Sequence, residues 1–410
     1  MRKHKIVGSA IVGNIIEYYD FGIYAVFVPT IGRLFFPAHD PFIQLLLAFA
    51  IFAFGFLMRP LGGVIFGHIG DKIGRKTALT ASILGMAFAT FCIGLLPSYE
   101  KIGIFAPFLL VLIRLIQGVC IGGEGAGSAI FILEHLDGYK PGLIGSLVMA
   151  SNMIGTLFAT FIGLIVTHFF GNDDFSWRYC FLFGGVIGLS GLYLRHSIDE
   201  TPAFRARTNK NAVVPIIEVL RKKWRRIWIV ACIGGVATSV AYTIRGYLAV
   251  FFVEYTHYTH LEALYLTSLA VLTFIIILPV FGLAADKIGY SRFLHISCYA
   301  VIFTALPIFL LLSHQDAAHV LLGTFGISIL AAAVSAPAYP YAIQHFTPSL
   351  RYSGVAFSWN IGNALFGGTA PGIETIFAEK FGPHAPAYYL IAIAVIFLLV
   401  NYAIKYSAKL

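Results

Sequence analysis

The stretch GHIGDKIGRK occupies residues 67–76, between two long apolar runs, and much of it returns later in the chain as GLAADKIGYSR at residues 282–292. Five residues of the first copy are repeated at one constant spacing. They are Gly67, Asp71, Lys72, Ile73 and Gly74, which return as Gly282, Asp286, Lys287, Ile288 and Gly289. Identities at a fixed spacing indicate an internal duplication, so the stretch predicts a fold of two equivalent halves.

Composition identifies the kind of fold that is duplicated. Of 410 residues, 59% are hydrophobic and 11% are charged, against about 25% charged residues in a typical soluble domain. Twelve apolar runs are long enough to cross a bilayer as helices, which takes about 20 residues each. They cover residues 10–33, 43–67, 77–96, 104–133, 143–168, 179–197, 227–252, 262–285, 293–312, 318–341, 353–377 and 386–406. We therefore predict an all-α integral membrane protein whose twelve transmembrane helices form two pseudo-symmetric six-helix bundles.

The net charge of +9 is explained by topology rather than by a nucleic-acid partner. If the chain starts inside the cell and crosses twelve times, 21 of its 28 lysines and arginines fall on the inner side. This asymmetry follows the positive-inside rule and predicts that both termini are cytoplasmic. The five cysteines show no CxxC spacing and the histidines outside the membrane are scattered over different loops, so we expect no disulfide, metal or cofactor.

A polar segment divides the chain near its middle. We predict an N-terminal bundle over residues 1–197, a cytoplasmic basic linker over 198–226 and a C-terminal bundle over 227–410. Within the linker, VVPIIEVLRKKWRR has the pattern of an amphipathic helix lying on the membrane surface. The linker is either a hinge or regulatory element, or a connection that fixes topology by its charge.

Charged groups at the inner ends of the predicted helices are candidate gate residues. Asp71, Arg75 and Glu134 lie where helices 2, 3 and 4 meet the cytoplasm, and Asp286 repeats Asp71 in the second half. Such groups pair only when their helices approach, which biases one of two conformations. The alternative is a solvated turn whose charges only orient the loop.

Several motifs together resemble one family. The pattern G-x-x-x-D-K-x-G-R-K at residues 67–76 resembles the loop 2–3 signature of the major facilitator superfamily, whose transporters alternate access around a central site. The stretches EYYDF at 17–21, RLIQGVCIGGEGAG at 114–127, ETPAF at 200–204 and RYSGVAFSWNIGNALFGGTAP at 351–371 are similar to its metabolite:proton symporter branch. That branch includes importers of proline and betaine, shikimate, citrate and 2-oxoglutarate.

The chain departs from the family pattern on the inner side of its second half. Ahead of span 11 the family commonly has E-x-F-P-T-x-x-R, whereas this chain has Gln344 in place of the acid. The second loop copy has Tyr290 and Ser291 where the first has Arg75 and Lys76. We therefore expect a weaker charge latch in the C-terminal half.

Two acids in the first span are candidate proton-coupling groups. On a helix that advances 100° per residue, Glu17 and Asp20 lie within about 60° of each other, on a face that Tyr24 shares. On span 4, Arg114, Gln117 and Glu124 share a second polar face by the same geometry. Charged groups within membrane helices nearly always face a cavity or a partner.

The resemblance places both faces in the central pathway, which helices 1, 4, 7 and 10 line in the family. Burial favours the neutral carboxyl and a nearby arginine favours the ionised one, so proton binding and the breaking of a salt bridge can be one event. We predict that Arg114 pairs with Glu17 or Asp20 in this role, with Glu124 nearby and with Asp20 as the favoured proton carrier. A static pair that fixes helix packing is the alternative.

Other polar residues within the spans are candidate substrate ligands. Arg245 on span 7 is predicted to meet a substrate carboxylate together with Arg114 or Arg59; alternatively it neutralises a buried acid, and Arg59 serves the packing of helix 2. An asparagine can bind substrate or make an interhelical hydrogen bond instead. The full predicted set is Arg114, Gln117, Arg245, Tyr24, Tyr242, Asn152, Asn360, Asn363 and Arg59. Glu374 is interpreted either as a gate residue or as an acid that reaches toward water.

The sequence predicts a proton-coupled importer of a small organic acid, amino acid or zwitterion, acting as a monomer in the inner membrane. Its expected partners are a small metabolite, protons and the lipid bilayer. An uncoupled facilitator or an exporter of the same fold is the first alternative, and a transporter-derived receptor is a second from another class. No HExxH, GxSxG or P-loop pattern is present, so we do not expect an enzyme.

Overall fold

The computed structural model describes residues 3–37, 41–136, 139–170, 175–196, 199–206 and 215–407, and within these ranges all regular structure is helical. The helices of the first half are α1 (Lys3–Val26), α2 (Val28–Phe35), α3 (Pro41–Lys72), α4 (Arg75–Leu95), α5 (Tyr99–Ile102), α6 (Phe105–His135), α7 (Pro141–Phe170) and α8 (Trp177–His196). The linker contains α9 (Pro202–Arg205) and α10 (Pro215–Lys222). The second half comprises α11 (Trp224–Tyr242), α12 (Leu248–Thr256), α13 (His260–Ile288), α14 (Tyr290–Leu312), α15 (Ala317–Ser335), α16 (Ala338–Ile343), α17 (Arg351–Gly362), α18 (Ala370–Phe381) and α19 (Pro386–Ser407).

Every predicted span overlaps one or more of these helices. Among the described residues, eight helical stretches are long and apolar enough to cross a membrane, and a ninth is obtained if the pair Ile6–Val26 and Val28–Phe35, bent by 62°, counts as one span. The prediction of an all-helical membrane fold is therefore confirmed. The total of twelve spans stays a prediction.

The repeated stretch forms the same tight turn in both halves. Gly74 has a φ of 146° and Gly289 a φ of 95°, and each is followed at once by the next helix, α4 or α14. Backbone at such positive φ strains any residue with a Cβ atom, so glycine is needed at both positions. This requirement explains why that glycine is among the repeated residues.

The described chain packs as two compact units that do not follow the sequence halves completely. Unit 1 comprises Met1–Asp137, Ser151–Glu218 and Pro348–Phe357, and unit 2 comprises Gly138–Ala150, Val219–Thr347 and Ser358–Leu410. The main boundary, at Glu218 and Val219, lies inside the predicted linker. Each unit also includes a short segment from the other half of the sequence, an exchange that the sequence did not predict. Linker residues 207–214 lie outside the described ranges.

In unit 1, glycines bring α3 and α6 into close contact. A Cβ atom added to Gly118 would lie 2.9 Å from the Cα atom of Gly55, and one added to Gly122 would lie 2.9 Å from the Cα atom of Gly62. Such distances leave no room for a side chain, so the small residues set how closely the two backbones approach.

In unit 2, two α-helices are interrupted by short π-helical segments. Thr243–Tyr247 separates α11 from α12, and Asn363–Gly367 follows α17. In the second segment the backbone N–H of Gly368 donates to the carbonyl of Asn363 over 2.7 Å, the i to i+5 bond of a π-helix. Such bulges are rare and are often found at functional positions. Both contain or adjoin residues that were predicted to bind substrate.

Candidate functional site

The end of α3 contributes to a buried cluster of charges within unit 1. Arg75 donates from Nε to Glu134 over 3.1 Å, and its Nη1 atom lies 3.1 Å from the Asp71 carboxylate. Arg351 donates to the other carboxylate oxygen of Glu134 over 3.1 Å. The side chains of Asp71, Arg75 and Glu134 are almost fully inaccessible to solvent. These three predicted gate residues and Arg351 are called the charge cluster below.

The charge cluster holds the first turn of α17. Asp71 accepts hydrogen bonds from the backbone N–H groups of Tyr352, over 3.3 Å, and Ser353, over 2.9 Å. Arg75 adds a bond of 2.6 Å from Nη2 to the carbonyl oxygen of Pro348. The first N–H groups of a helix have no partner within the helix, and its positive end attracts anions. Asp71 therefore stabilises the start of α17 both by accepting its backbone hydrogen bonds and by its negative charge.

The ETPAF motif joins the linker to the same cluster. The Thr201 hydroxyl donates to Glu134 over 2.8 Å, and Glu200 accepts from the backbone N–H of Lys76 over 3.1 Å. The ring of Phe204 lies 5.4 Å from the guanidinium carbon of Arg75. The motif thus anchors the start of the linker on the charge cluster, a role that the sequence did not indicate.

Asp286 plays the corresponding part in unit 2. Its carboxylate accepts hydrogen bonds from the backbone N–H groups of Gly142, over 2.7 Å, and Leu143, over 3.1 Å, at the start of α7. Tyr290 donates its hydroxyl to the same carboxylate over 2.8 Å, at the position where the first half has Arg75. Asp286 therefore repeats the helix cap of Asp71, with a neutral phenol in place of the guanidinium.

This difference predicts unequal stabilities for matched variants of the two caps. We expect Asp71→Asn to lower the free energy of unfolding by about 2–4 kcal/mol, because it removes a buried ion pair and weakens two hydrogen bonds. We expect Asp286→Asn to cost about 1 kcal/mol, since it weakens hydrogen bonds only. Melting temperatures of the purified variants in detergent provide the measurement. Equal losses in the two variants would contradict the proposed weaker latch of the C-terminal half.

Two arginines and three aromatic rings meet among the helices of unit 1. The Arg114 guanidinium carbon lies 3.8 Å from the Tyr24 ring centre, and that of Arg59 lies 4.2 Å from the Phe56 ring centre and 4.9 Å from that of Phe21. Both arginines are 1% exposed and interact through their charges. These five residues are called the arginine–aromatic site below.

Two of the three guanidinium nitrogens of Arg59 have no hydrogen-bond partner in the described structure. Among the described residues, no acceptor lies within hydrogen-bonding distance of its Nε and Nη2 atoms, although both atoms are buried. Stacking on aromatic rings offsets part of the cost of burying a guanidinium, but it does not satisfy N–H donors. The arrangement therefore favours an anionic ligand. The ring contacts agree with the packing role predicted for Arg59, and the unsatisfied donors favour a ligand-binding role in addition.

A hydrogen-bonded chain leads from Arg114 toward Asp20. Arg114 donates to the amide oxygen of Gln117 over 2.7 Å, and the Gln117 amide donates to the Thr90 hydroxyl over 2.7 Å. Thr90 lies near Asp20, whose side chain has no exposed surface and whose carboxylate oxygens have no hydrogen-bond partner in the described chain. Asp20 and Arg114 are close enough to attract through charge, but within the described chain they form no direct salt bridge. Two neutral polar residues, Gln117 and Thr90, take the place of the predicted contact.

The other predicted acids of unit 1 flank Cys120. Glu17 and Glu124 both lie within electrostatic range of its thiol. Glu124 accepts hydrogen bonds from the hydroxyls of Ser82, over 2.8 Å, and Ser128, over 3.1 Å. Glu17 is buried on the same face of α1 as Asp20. The described contacts thus place Glu124 among hydroxyl groups.

Asn152 makes an interhelical hydrogen bond. Its amide oxygen accepts from the side-chain amide of Asn14, which also donates to the Ser151 hydroxyl over 2.7 Å. This bond links α1 to α7 within unit 1. It is the packing role that the sequence analysis gives as the alternative to substrate binding.

Unit 2 contains the remaining predicted ligands. Arg245, in the first π-helical segment, places its guanidinium carbon 3.9 Å from the Tyr242 ring centre. Asn360 is buried in α17 and Asn363 begins the second π-helical segment. The Tyr339 and Trp359 rings stack with their centres 4.4 Å apart. Unit 2 thus has its own arginine–aromatic contact.

Several contributing residues were not predicted. Thr90 has no charge and lies in an apolar run, while Phe21 and Phe56 look like ordinary membrane-facing residues in the sequence. Arg351 opens the motif at residues 351–371 but was assigned no role of its own. The position of Phe21 next to Asp20 in EYYDF was the one available signal, since an aromatic ring beside an intramembrane charge can serve as a cation–π partner.

Comparison with known proteins identifies the family. The family model described as Major Facilitator Superfamily matches residues 10–371. The chain is 34% identical to the glycine betaine/proline/ectoine/pipecolic acid transporter OusA of Dickeya dadantii, over 100% of this chain and 84% of the relative. It is 32% identical to the proline/betaine transporter of Salmonella typhimurium, over 99% and 84% of the two chains.

Solved structures support the same fold. The proton:xylose symporter XylE, bound to 6-bromo-6-deoxy-D-glucose, is similar with a TM-score of 0.79 and 14% identity, over 98% of this chain and 95% of that one. The human organic anion transporter MFSD10 is similar with a TM-score of 0.71 and 15% identity, over 98% and 99%. The chain therefore belongs to the major facilitator superfamily, and it is a multi-pass membrane transporter of small metabolites rather than an enzyme.

Proposed function

We propose that this transporter imports a small zwitterion that bears a carboxylate, together with protons, by alternating access. The proposal includes twelve spans, cytoplasmic termini, a location in the inner membrane and a monomeric state. The observation that carries it is the arginine–aromatic site, with its unsatisfied Arg59 donors, at one end of a hydrogen-bonded chain that ends at Thr90, near Asp20.

The substrate class follows from the chemistry of the site. A carboxylate supplies two acceptor oxygens, which match the planar N–H donors of a guanidinium. Arg59 and Arg114 repel each other through their charges, so an anion between them relieves that repulsion. The rings of Phe21, Tyr24 and Phe56 provide apolar and π surface for the rest of the molecule. Relatives named as transporters of proline and betaine make these zwitterions the first candidates.

Proton coupling is proposed for Asp20. A carboxyl group with no exposed surface is neutral when protonated, and on losing its proton it attracts Arg114, the arginine already within electrostatic range. That attraction draws Arg114 away from Gln117 and Tyr24, and so weakens the site for the substrate carboxylate. Proton binding at Asp20 and substrate binding at the arginines thus favour each other, as symport requires.

The charge cluster is proposed to stabilise one of the two conformations. It joins the ends of α3, α4 and α6 to the start of α17 through buried ion pairs and a capped helix start, and the contacts with α17 are proposed to separate when the inner gate opens. Arg245, Tyr242, Asn360 and Asn363 are proposed as the contributions of unit 2 to substrate recognition.

Uptake by proteoliposomes tests the proposal. We expect saturable uptake of proline or glycine betaine that is accelerated by an inward pH gradient and accompanied by proton entry. Saturable uptake that ignores the gradient would indicate the uncoupled facilitator. Tight binding without flux would indicate the receptor, and either outcome overturns the proposal.

A further inference from the structure

A carboxyl group of unit 2, Glu374, is buried without a counter-charge. It lies in α18 and has no exposed surface, which excludes the interpretation that it reaches toward water. Among the described residues, no lysine, arginine or histidine forms a salt bridge with it. Its Oε2 atom is buried and has no hydrogen-bond partner in the described chain. An ionised carboxylate in such a place would be poorly stabilised, because neither water nor a cation solvates it.

Hydrogen-bond counting at Thr243 indicates which form the carboxyl group takes. The Thr243 oxygen lies 2.6 Å from Glu374 Oε1 and 3.0 Å from the carbonyl oxygen of Ser239. A carbonyl can only accept, and a threonine hydroxyl has one hydrogen to donate and two lone pairs to accept. If that hydrogen goes to Ser239, the contact with Glu374 requires a hydrogen on the carboxyl. Both contacts are full two-centre hydrogen bonds at once when Glu374 is protonated.

The described residues around Glu374 supply no positive charge that would stabilise its ionised form. The titratable groups beside Glu374 are the phenols of Tyr247, on the π-helical segment, and Tyr389, on α19. The Tyr247 hydroxyl is buried and has no hydrogen-bond partner among the described residues. Arg245, on the same segment, lies over the Tyr242 ring. Among the described residues, the groups that face the carboxyl from neighbouring helices are therefore neutral.

The π-helical segment gives the arrangement a means of change. Thr243 is its first residue and Tyr247 its last, so both neighbours of the carboxyl belong to a stretch that departs from the α-helical register. Such segments accommodate an extra residue and often mark functional positions. A change of register there would withdraw the Thr243 contact from Glu374.

We propose that Glu374 is a second proton-binding site, which carries a transported proton in the C-terminal unit. The inference rests on the proposed proton-coupled function. The proton arrives from water on one side, forms the carboxyl O–H bond that contacts Thr243, and returns to water on the other side after the conformational change. This proton site is separate from Asp20 and from the chain that links Arg114 to Thr90, which lie in unit 1.

Matched glutamine variants on one helix test the proposal. Glu374→Gln keeps the shape of the neutral acid and cannot carry a proton, while Glu379→Gln makes the same change at an exposed position five residues later. In proteoliposomes, we expect a one-unit pH gradient to support about tenfold less substrate accumulation in Glu374→Gln than in the wild type, because one proton is lost from each cycle. Glu379→Gln should match the wild type.

Further readouts separate the possible failures. The ratio of protons to substrate, measured with an internal pH dye, should fall by about one in Glu374→Gln. Substrate affinity should keep its pH dependence. If melting curves show that this variant is unfolded, Thr243→Val should give the same direction of change without removing the acid. A wild type that ignores the gradient overturns the proposed function, whereas a coupled wild type with an unchanged ratio in Glu374→Gln, or coupling to sodium instead, overturns this inference.

Discussion

Replacing Arg59 with glutamine is expected to weaken binding of a carboxylate substrate by about 10- to 100-fold while leaving the protein as stable as before. Charge-assisted hydrogen bonds contribute about 1.5–3 kcal/mol each, which sets the size of the loss. Stability should stay the same or rise, because the variant removes a buried charge whose Nε and Nη2 atoms have no acceptor in the described structure.

Arg178 provides the matched control for this prediction. It stacks over Trp177, with 4.6 Å between the guanidinium carbon and the ring centre, and donates to the carbonyl oxygens of Gly94 and Leu96. The two N–H donors of its Nη1 atom are therefore used within the protein. We expect Arg178→Gln to lower the melting temperature and to leave substrate affinity unchanged.

Titration calorimetry with glycine betaine or proline and thermal melting in detergent measure the two effects. The two variants should have opposite effects: Arg59→Gln lowers substrate affinity without lowering stability, and Arg178→Gln lowers stability without lowering substrate affinity. If Arg59→Gln instead loses stability and keeps its affinity, the residue serves helix packing, and the carboxylate must bind elsewhere.

Asp20→Asn is expected to make substrate affinity independent of pH. In the wild type, protonation of Asp20 leaves Arg114 available for the substrate, so affinity should fall as the pH rises. Asparagine is neutral at every pH and cannot draw Arg114 away. Binding measured at pH 6 and pH 8 should therefore differ by about tenfold or more in the wild type, which corresponds to about 1.4 kcal/mol, and agree in the variant.

Glu17→Gln is the comparison that separates the two acids of α1. Glu17 lies beside Cys120, whereas Asp20 adjoins the chain through Thr90 and Gln117. We expect Glu17→Gln to keep both the pH dependence of affinity and the response to a pH gradient. If both variants keep both properties, the coupling role of this pair is wrong.

The double variant Asp20→Asn with Glu374→Gln connects the two proton sites. Each single change should remove one proton from the cycle, so the double variant should equilibrate substrate without accumulating it. Only the variants that contain Asp20→Asn should lose the pH dependence of affinity. Accumulation by the double variant equal to that of the wild type would show that neither acid carries a proton.

The sequence was a good guide to helices and to charged residues. Apolar runs record burial in lipid directly, and an acid or arginine within such a run is costly enough to indicate a role. The repeated glycines were equally informative, because the backbone at Gly74 and Gly289 accepts no other residue without strain. Asp71, Arg75 and Glu134 were grouped as gate residues, and they do meet in the structure.

Neutral residues and tertiary exchanges were beyond the reach of the sequence. Thr90 became relevant only because Gln117 and Asp20 pack on either side of it. The burial of Glu374 depends on contacts with helices that are distant in the sequence. Thr243 lies four residues after Ser239, whose carbonyl it contacts, and that local pattern does not indicate that Thr243 also contacts Glu374. The exchange of Pro348–Phe357 into unit 1 likewise depends on packing rather than on local pattern.

That exchange affects when the contacts of the first half can form during synthesis. Asp71 is bonded to the backbone of Ser353, 282 residues later in the chain, and Asp286 to that of Gly142, 144 residues earlier. A ribosome adds about 5–20 residues per second, so Asp71 waits roughly 14–56 s for its helix start to be synthesised. During that interval Arg75 lacks its hydrogen bond to the Pro348 carbonyl, and the charge cluster lacks Arg351. The first half of the chain therefore cannot complete its packing at the time it is synthesised. A fragment that ends at the linker should need the second fragment in the same membrane to reach its final packing.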